Sequence, residues 1–399
     1  MVIKTMYNVL HVLYQSYPNI SGSSTRSKSI VDAMHQSALF NPSVITSPLQ
    51  AGVSVGNVEL IDDVQYYRTF KCGNDKYEVN KPKNFFTKLK KAFSFVFFTY
   101  DIFVVAKEKN VDVIHAHAMS FCGLPSLFVA RILNKKFVYE IRSDWHLDKS
   151  FSSGIMLQKV FGYMEAYVAK KSDSLVVISQ GLFEKYSKFN HNCYLVSNGV
   201  HDDRFASFSP ASISTSNVVT YGFIGSVIPL EGLEMVVQAI SNLRTKYNVV
   251  VSLKIAGMGE SLEAIKDKAR ELGVQEQVII CGSLPFERVG EFYDGVDVIV
   301  NFRRNEEIAH SVTPLKPLEA MAQKKLTIVS DVKGMLELVT EGVNGIVVPA
   351  ENVEALTDIM FDVFCHREKY TKIVEVAYKY VVDNYSWSKK INQYVEVYS

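Results

Sequence analysis

Short runs of β-branched and other apolar residues alternate with helical patterns along almost the whole chain, and this alternation limits the fold more than any other feature. Helices with a 3.6-residue period fall between the runs, for example over Leu233–Tyr247 and Ser261–Leu272. Several runs are apolar without a break, as expected for strands covered on both faces, so the alternation predicts an α/β protein with parallel sheets. The predicted strands are Asn8–Tyr14, Val64–Arg68, Val111–His115, Lys136–Ile141, Ser174–Ile178, Tyr194–Ser197, Val219–Ile224, Val249–Ala256, Gln277–Cys281, Val296–Asn301, Lys325–Ser330 and Gly345–Val348.

The number of strands and one serine-rich segment together predict two domains. Twelve strands are too many for one open sheet, so two sheets are expected. Ala206–Asn217 carries five serines and a proline without periodicity, which is typical of a linker. We therefore expect two doubly wound, Rossmann-like domains over residues 1–205 and 218–384, facing each other across a cleft. In such sheets ligands bind beyond the carboxyl ends of the strands.

Charge and cysteine usage exclude several classes of protein. Lys and Arg number 43 and Asp and Glu 42, which gives a net charge of +1 and argues against a nucleic-acid partner held by overall charge. The five cysteines are far apart and never form a CxxC pair, so neither a disulfide framework nor a cysteine zinc site is expected, and the compartment is expected to be reducing. The most apolar stretch, Ala92–Ala106, is interrupted by Asp101 and is too short to span a bilayer. A cytoplasmic protein, soluble or peripheral to the inner membrane, is the expectation.

Two motifs in the first half accompany predicted strands. SGSSTR follows the first strand, and Gly22 either lets a ligand approach the backbone or marks a plain turn. DVIHAH places His115 and His117 at a strand end. Because they are two residues apart, we expect the two rings to diverge, so that one metal ion bound by both is not predicted. A ligand-binding role is predicted for His117, the alternative being a histidine satisfied within its loop.

EIRSD ends the next strand with three charged side chains, Glu140, Arg142 and Asp144. They suit a substrate-binding role on the acceptor side. They suit equally a structural ion pair between Arg142 and a neighbouring carboxylate. The residues alone leave both interpretations open.

Two glycine-containing loops follow strands in the second half. GFIGSVIPLEG is a strand with a tight loop, and Gly225 in that loop is a candidate for donor binding. IAGMG resembles the start of a dinucleotide fingerprint but lacks the third glycine, and no acidic residue ends the next strand. Binding of NAD is therefore not predicted.

The motifs NFRR and TPLKPLEAMA concentrate charge near the ends of strands. Arg303 and Arg304 suit phosphate oxygens, although a solvated surface pair is the alternative. Lys316 and Glu319 are three residues apart, on one face of a helix expected to start near Thr313. A cation and free amides there can hold a diphosphate, while Glu319 can accept hydrogen bonds from ribose hydroxyls. An ordinary surface salt bridge is the alternative.

These motifs, in this order and spacing, resemble the retaining glycosyltransferases of family 4, which have the GT-B architecture. The resemblance covers nearly the whole chain. NFRR followed by VTPLKPLEAMA is similar to a bacterial exosortase-associated and exopolysaccharide subgroup. The other matching stretches are DVIHAH, FVYEIRSDW, SDSLVVISQGL, VSNGV, GFIGS with LEGLEMVVQAI, LKIAGMGE and GVNGIVVPAENVEAL.

The resemblance implies roles for individual residues. Glu319 matches the second Glu of the family's Glu-x7-Glu motif, which holds the donor ribose. His117 matches the histidine that contacts the transferred sugar, and Gly22 matches the glycine loop near the donor phosphates and the acceptor. The resemblance also implies that a helix over residues 385–399 crosses back to the first domain.

Two departures from the family pattern concern the donor side. The first Glu of the motif falls on Ser311, and the basic pair after the first strand of the second domain falls on Ser226 and Glu231. Three basic residues are near enough in the sequence to replace that charge. They are Arg303, Arg304 and Lys316.

The resemblance implies transfer of a sugar from a nucleotide donor, a UDP- or GDP-sugar, to a glycan or polyprenyl-linked acceptor with retention at the anomeric carbon. We expect His117, Lys316 and Arg303 to act in the reaction, with no cofactor besides the nucleotide-sugar co-substrate. No Asp-x-Asp pair lies where a metal would be needed, so no metal is expected. Two alternatives stay open: a nucleotide-sugar epimerase of the same architecture, and a sugar-nucleotide-binding subunit without catalysis.

Lys81–Tyr100 holds five lysines, six phenylalanines and no acidic residue. Read as a helix, one stripe ending in Val96, Phe97 and Tyr100 predicts the face packed on the core. The opposite face mixes basic and aromatic residues, which suits a helix lying on an anionic bilayer. This predicted membrane face consists of Lys88, Lys91, Phe95 and Phe98. A helix packed on both sides is the alternative.

Overall fold

The computed structural model describes residues 6–19, 22–50, 58–69, 85–117, 119–145, 155–205, 219–285 and 288–399. The chain divides into two compact units. Unit 1 comprises Met1–Ser197 and Trp387–Ser399, and unit 2 comprises Asn198–Ser386. The predicted linker, Ala206–Asn217, lies outside the described residues.

Unit 1 is built on an eight-stranded sheet with helices on both faces. Its strands are β1 (Tyr7–Leu13), β2 (Phe40–Thr46), β3 (Val58–Ile61), β4 (Val64–Arg68), β5 (Val113–His117), β6 (Lys136–Ile141), β7 (Ser174–Val177) and β8 (Cys193–Leu195). The order across the sheet is β3-β4-β2-β1-β5-β6-β7-β8, and the β3–β4 pair alone is antiparallel. The helices are α1 (Gly22–Gln36), α2 (Phe85–Glu108), α3 (Ser120–Leu133), α4 (Ile155–Lys171) and α5 (Gln180–Tyr186). The end of the chain adds α14 (Trp387–Lys390) and α15 (Gln393–Tyr398).

Unit 2 has a six-stranded sheet in the order β11-β10-β9-β12-β13-β14, and every pairing is parallel. Its strands are β9 (Thr220–Ile224), β10 (Ser252–Ala256), β11 (Val278–Gly282), β12 (Val298–Asn301), β13 (Leu326–Ser330) and β14 (Ile346–Val348). The helices are α6 (Leu233–Tyr247), α7 (Leu262–Glu271), α8 (Val289–Asp294), α9 (Glu307–Ser311), α10 (Lys316–Ala322), α11 (Lys333–Leu336), α12 (Val353–Cys365) and α13 (Thr371–Asn384). The expectation of doubly wound, mostly parallel α/β sheets is confirmed.

The pleat of the first sheet places polar side chains beside the core. On one face Val9, Val113, Val138 and Val176 pack with residues of α1, α14 and α15. The same alternation brings His11, His115, His117 and Glu140 to this face near the carboxyl ends of their strands, because side chains two residues apart in a strand point the same way. His11 lies opposite His115, and His117 lies opposite Glu140.

Two strands were not predicted from the sequence. The strand over Phe40–Thr46 contains Pro42, which has no amide hydrogen for a sheet. The structure accommodates it because pairing with β4 begins only at Val44, so Pro42 has a strand neighbour on the β1 side alone. The short strand over Val58–Ile61 forms the edge of the sheet, where an apolar pattern is weakest.

The predicted faces of α2 are wrong. Phe98 is fully buried, and the ring of Phe95 contacts it edge-on and packs at a tilt against Phe121 of α3. Val96 and Tyr100, expected in the core, are instead exposed. Helical spacing shows that α2 has two apolar faces, but the neighbouring helix decides which of them is buried. In the structure Phe121 of α3 contacts Phe95, so the face with Phe95 and Phe98 turns inward. The side chains of Lys88 and Lys91 lie outside the described part of the chain.

Among the described residues, no helix is both long and apolar enough to cross a bilayer.

Candidate functional site

Three imidazole rings meet under α1 in unit 1. The rings of His115 and His117 stack with centroids 4.0 Å apart and planes inclined by 27°. His11 lies 5.0 Å from the ring of His117 and donates to or accepts from its Nε2 over 2.7 Å. The expectation that His115 and His117 diverge is therefore wrong, because residues two apart in a strand share one face of the sheet.

Glu140 joins this group as its only carboxylate among the described contacts. Its Oε1 accepts from Arg142 Nε at 2.7 Å and from Arg26 Nε at 3.1 Å, and its Oε2 accepts from Tyr394 OH at 2.7 Å. Burial opposes ionisation of Glu140, but the two guanidinium groups outweigh it and hold the pKa of this carboxyl well below its usual range. The ion pair that was one reading of EIRSD is present, inside a larger buried network. We call these residues the unit 1 cluster: His11, Arg26, His115, His117, Glu140, Arg142 and Tyr394.

The hydrogen bonds define the protonation of His117. Arg142 Nη2 lies 2.5 Å from His117 Nδ1, and a guanidinium group can only donate, so Nδ1 carries no proton. The proton of the neutral ring is then on Nε2, which donates to His11 Nδ1. Burial, reinforced by the positive charge of Arg142, lowers the pKa of His117 to about 3. His117 is thus a neutral imidazole with both nitrogens engaged inside unit 1.

The spacing of the histidines would also suit a metal ion. One nitrogen of each of His11, His115 and His117 lies within 4.8 Å of the others. The surroundings do not fit a cation, because Arg26 and Arg142 place two positive charges against a single carboxylate. A bound ion would also displace the proton shared by His11 and His117. We assign no metal to this cluster.

The end of the chain completes the cluster. Tyr398 OH lies 2.8 Å from His115 Nδ1, and Lys390 Nζ donates to Ser197 Oγ at 2.7 Å. Trp387 is buried, and the guanidinium carbon of Arg26 lies over its ring, 5.1 Å from the ring centroid. Residues 387–399 therefore belong to unit 1 and help to position its polar side chains.

Two predicted residues of unit 1 lie apart from these contacts. Asp144 accepts from Tyr186 OH at 2.8 Å and pairs with Lys185 Nζ at 2.8 Å, both on α5. Gly22 is the exposed first residue of α1, with nothing within 4 Å of the position a Cβ would take. Arg142 Nη1 reaches the same helix and donates to Ser27 Oγ at 2.8 Å.

In unit 2, two cations converge on one carboxylate. Lys316 Nζ lies 2.6 Å from Glu231 Oε1, and Arg303 Nη2 donates to the same oxygen at 3.2 Å. Lys316 Nζ also lies over the Phe223 ring, 4.5 Å from its centroid. We call Glu231, Arg303 and Lys316 the Glu231 cluster. It carries a net charge of +1 and is drawn from three separate places in the chain.

The ionisation of the Glu231 cluster reflects its burial. Burial lowers the pKa of Lys316 to about 8 even though Glu231 raises it. Burial also opposes the charge on Glu231, but Lys316 and Arg303 prevail and lower the pKa of that carboxyl. Lys316 is therefore charged at neutral pH and loses its proton in mildly alkaline solution.

Five buried polar atoms, two of them in this cluster and three at the ends of β12 and β13, lack a hydrogen-bond partner within the described residues. They are Glu231 Oε2, Arg303 Nε, both amide atoms of Asn301 and Ser330 Oγ. Asn301 and Ser330 are the last residues of β12 and β13, at the carboxyl ends where α/β sheets bind ligands. Each unsatisfied buried group destabilises the fold by about 1–3 kcal/mol, so unsatisfied groups at the carboxyl ends of these strands make them a candidate binding site.

Two glycines allow the loops after β9 and β10 to approach this site. Gly225 has φ +139°, and a Cβ there would lie 2.4 Å from Lys316 Cε. Gly257 has φ +141°, and a Cβ there would lie 1.8 Å from the Gly225 carbonyl oxygen. A side chain at Gly225 would displace the end of the Lys316 side chain, and one at Gly257 would displace the backbone of the loop at Gly225.

The remaining predicted donor residues take different positions. Arg304 pairs with Glu234 of α6 rather than with Glu231. Ser311 ends α9, and its hydroxyl donates to the Ile308 carbonyl at 3.3 Å. Glu319 lies in the first turn of α10, half-buried, and its charge acts on Lys316. The helix itself begins at Lys316, later than the sequence predicts.

Sequence reasoning gave no site role to five residues of these sites: His11, Arg26, Glu231, Asn301 and Tyr394. Arg26 and Asn301 stand in the motifs SGSSTR and NFRR, where neighbouring residues attracted the attention. Strand pairing brings His11 to His115 across more than 100 residues, and a terminal helix brings Tyr394 to Glu140. No local sequence pattern carries either contact.

Comparison with known proteins places these sites in context. Residues 206–380 match the family model "Glycosyl transferases group 1". An uncharacterized glycosyltransferase of Methanocaldococcus jannaschii is 29% identical over 179 residues, 44% of this chain and 43% of that protein. A GDP-mannose-dependent alpha-(1-6)-phosphatidylinositol monomannoside mannosyltransferase of Mycolicibacterium smegmatis is 26% identical over 211 residues, 50% of this chain and 54% of that protein. The chain thus spans about half the length of these curated relatives.

A solved structure extends the comparison to the whole chain. HepE of Anabaena, crystallised with UDP, superposes with a TM-score of 0.71, covers 98% of each chain and is 13% identical. At this identity the likeness concerns the fold. The chain has the GT-B fold, and its residues 206–380 are similar to the glycosyl transferases group 1 family.

Proposed function

We propose that the chain is a glycosyltransferase that moves a sugar from a nucleotide-sugar donor to a glycan or lipid-linked acceptor, with retention at the anomeric carbon. The donor is proposed to be a UDP- or GDP-sugar and the product part of a bacterial surface polysaccharide. The family match of residues 206–380 and the GT-B fold support glycosyl transfer. Retention rests on the resemblance to family 4, and metal independence on the lack of an Asp-x-Asp pair.

The Glu231 cluster carries the proposal. Arg303 and Lys316 are held together by one carboxylate, yet Arg303 Nε and Glu231 Oε2 keep unused hydrogen-bonding capacity. A diphosphate presents oxygens that suit a guanidinium fork and an ammonium group. We assign the leaving diphosphate to these two cations, with Glu231 as the positioning residue that keeps them together when the donor is absent.

The proposed reaction breaks the bond between the anomeric carbon and the diphosphate oxygen and forms a bond from that carbon to an acceptor hydroxyl. The nucleoside diphosphate leaves with the electron pair and takes the proton of the acceptor hydroxyl on the same face. Negative charge grows on the diphosphate as the bond breaks, so Arg303 and Lys316 stabilise the transition state more than the ground state. We assign the ribose to Glu319 and the approach of the donor to the backbone at Gly225.

In unit 1 we assign the transferred sugar and the acceptor to the carboxyl ends of the strands that carry the unit 1 cluster, with Arg142 and His117 as positioning residues. Because both nitrogens of His117 are engaged by Arg142 and His11, the ring is held in one orientation and one tautomer. The cluster is therefore preorganised, which lowers the cost of ordering a site when a substrate binds. Asp144, held by α5, is assigned to the acceptor side by the resemblance.

The names of similar proteins agree with this substrate class. HepE was crystallised with UDP, and the mycolicibacterial relative is described as GDP-mannose-dependent. These statements concern those proteins. For this chain they support a test of both uridine and guanosine donors.

A second candidate is a nucleotide-sugar-binding subunit without catalysis, and one observation favours it. Glu231 already neutralises part of the positive charge of Lys316 and Arg303. A leaving diphosphate would need that positive charge for its own stabilisation. The two candidates differ in turnover and agree in binding.

Thermal unfolding with a panel of UDP-, GDP-, ADP- and dTDP-sugars tests the donor assignment. A donor at 100 times its dissociation constant adds about 2.7 kcal/mol to the free energy of unfolding. Arg303→Ala and Lys316→Ala should remove the shift, whereas Lys372→Ala, an exposed lysine on α13, should retain it. If no nucleotide sugar shifts the wild-type transition, or if both variants respond as the wild type does, the donor assignment is wrong.

A further inference from the structure

Three helices of unit 1 lie side by side and carry an unusual share of exposed apolar side chains. The central helix, α3, packs against both α2 and α4. Ten of the 21 exposed large apolar side chains of the described chain lie on these three helices, with exposures from 38% to 82%. We call them the apolar face: Val96, Phe97, Tyr100, Val104, Phe128, Ile132, Met156, Val160, Tyr163 and Tyr167.

The spacing of these residues shows that each helix presents a continuous stripe. On α4 the exposed positions are 156, 160, 163 and 167, and on α2 they are 96, 97, 100 and 104. Such spacing keeps side chains on one side of a helix. Between α2 and α3 the stripes border an apolar cavity of about 570 Å³, lined among others by Tyr100, Phe103 and Phe128. A soluble monomer rarely exposes an apolar patch of this extent without a partner for it.

The polar groups on the same helices are mostly basic. Exposed cations on α4 are Lys159, Lys170 and Lys171, and none of the residues of α3 is acidic. The one acidic residue of α4, Glu165, is fully buried under the helix layer. On α2, the sequence places Lys88, Lys90 and Lys91 in the first two turns. The two acidic residues of this helix, Asp101 and Glu108, lie in its second half. The apolar face is thus accompanied by positive charge.

We propose that the apolar face docks unit 1 on the surface of an anionic phospholipid bilayer. The aliphatic and phenylalanine side chains enter the acyl boundary, the tyrosines lie at headgroup level and the lysines contact lipid phosphates. A second copy of the chain fits this surface less well. A two-fold interface would set the face against itself and bring the same lysines together from both copies.

This docking surface differs from the one expected from the sequence. Phe95 and Phe98 pack inside unit 1, so a lipid would meet the opposite side of α2. The inference does not depend on the proposed sugar transfer, because it rests on exposure and charge outside both candidate sites.

Co-sedimentation of the full chain with vesicles tests the inference. Vesicles of phosphatidylcholine alone are compared with vesicles of equal parts phosphatidylcholine and phosphatidylglycerol. The wild type should sediment with the anionic vesicles. Phe128→Asp with Tyr163→Asp should weaken that binding by about tenfold or more, because two exposed rings are replaced by charges. The matched control, Leu60→Asp with Val376→Asp, changes exposed apolar residues elsewhere and should bind as the wild type does.

A second pair of variants tests the charge. Lys159→Glu with Lys170→Glu should weaken binding to anionic vesicles by about tenfold or more and leave any binding to neutral vesicles unchanged. The control, Lys372→Glu with Lys379→Glu, reverses two exposed lysines of α13 and should have no effect. All four variants carry substitutions at exposed positions, and circular dichroism verifies that each is folded.

Three results would overturn the inference. The wild type stays in solution with both vesicles, or the Phe128 and Tyr163 double variant, folded, sediments as the wild type does. In the third, light scattering finds a wild-type dimer that this double variant converts to a monomer, which assigns the face to a second copy.

Discussion

Glu165 offers the most quantitative test of the structure of unit 1. Its carboxyl is fully buried and accepts from Tyr139 OH at 2.6 Å, Trp145 Nε1 at 2.8 Å and the Ser120 amide at 3.1 Å. Burial raises its pKa from 4.5 to about 7, although these hydrogen bonds act in the opposite direction. In the folded protein Glu165 should therefore hold a proton that the unfolded chain has released.

The sign and size of the effect follow from proton linkage. Between pH 4.5 and 7 the folded state binds more protons at Glu165 than the unfolded state does, so stability falls as pH rises through this range. From pH 5 to pH 8 the loss is about 2–3 kcal/mol. Glu165→Gln, which is neutral at every pH, removes this contribution. The free energy of unfolding of the variant minus that of the wild type should therefore increase by about 2–3 kcal/mol from pH 5 to pH 8.

Urea denaturation followed by tryptophan fluorescence measures this difference. The chain has two tryptophans, and both, Trp145 and Trp387, belong to unit 1, so the signal reports the unfolding of that unit. Glu108→Gln on the exposed end of α2 is the control and should parallel the wild type. If Glu165→Gln also parallels the wild type from pH 5 to pH 8, Glu165 is ionised throughout this range. The raised pKa that we attribute to its burial is then wrong.

Four further outcomes are expected, three at the two clusters and one at Ser311. Lys316→Ala should raise the activation barrier of sugar transfer by about 2–4 kcal/mol, measured as kcat/KM. In the wild type, donor affinity should fall as pH rises through about 8, because Lys316 loses its charge there. A donor affinity that stays constant from pH 7 to pH 9.5 contradicts this prediction. Glu140→Gln leaves the guanidiniums of Arg26 and Arg142 without their carboxylate and should destabilise unit 1 by about 3–5 kcal/mol in urea. Ser311→Glu should change donor preference in a thermal-shift panel if position 311 faces the donor, and an unchanged panel removes Ser311 from the site.

The alternation of strands and helices was enough to predict the architecture, because unbroken apolar runs and 3.6-residue periods are local signals. The run over Thr220–Ile224 and the helix over Leu233–Tyr247 illustrate this, since both are found within a residue of their predicted bounds. The residues with chemical character at strand ends, such as Arg303 and Lys316, were also recognisable from their motifs.

The contacts between these residues were not predictable. His11 reaches His117 only through the pairing of β1 with β5, and Glu231 collects Arg303 and Lys316 from distant turns. Such contacts depend on register and loop geometry, which no local pattern encodes. The exposed face of α2 was mistaken for a related reason: two of its faces are apolar, and the choice between them was made by Phe121 of α3.

The central claim is that this chain transfers a sugar from a nucleotide donor with retention. Proton NMR of the full chain with α-linked UDP- and GDP-sugars, and with glycan and polyprenyl-linked acceptors, tests it most directly. The account predicts loss of the donor anomeric signal, release of nucleoside diphosphate and a new α-linked product that forms only when an acceptor is present. Consumption of donor without acceptor to give an epimer, a β-linked product, or binding of donor without any turnover would each contradict it.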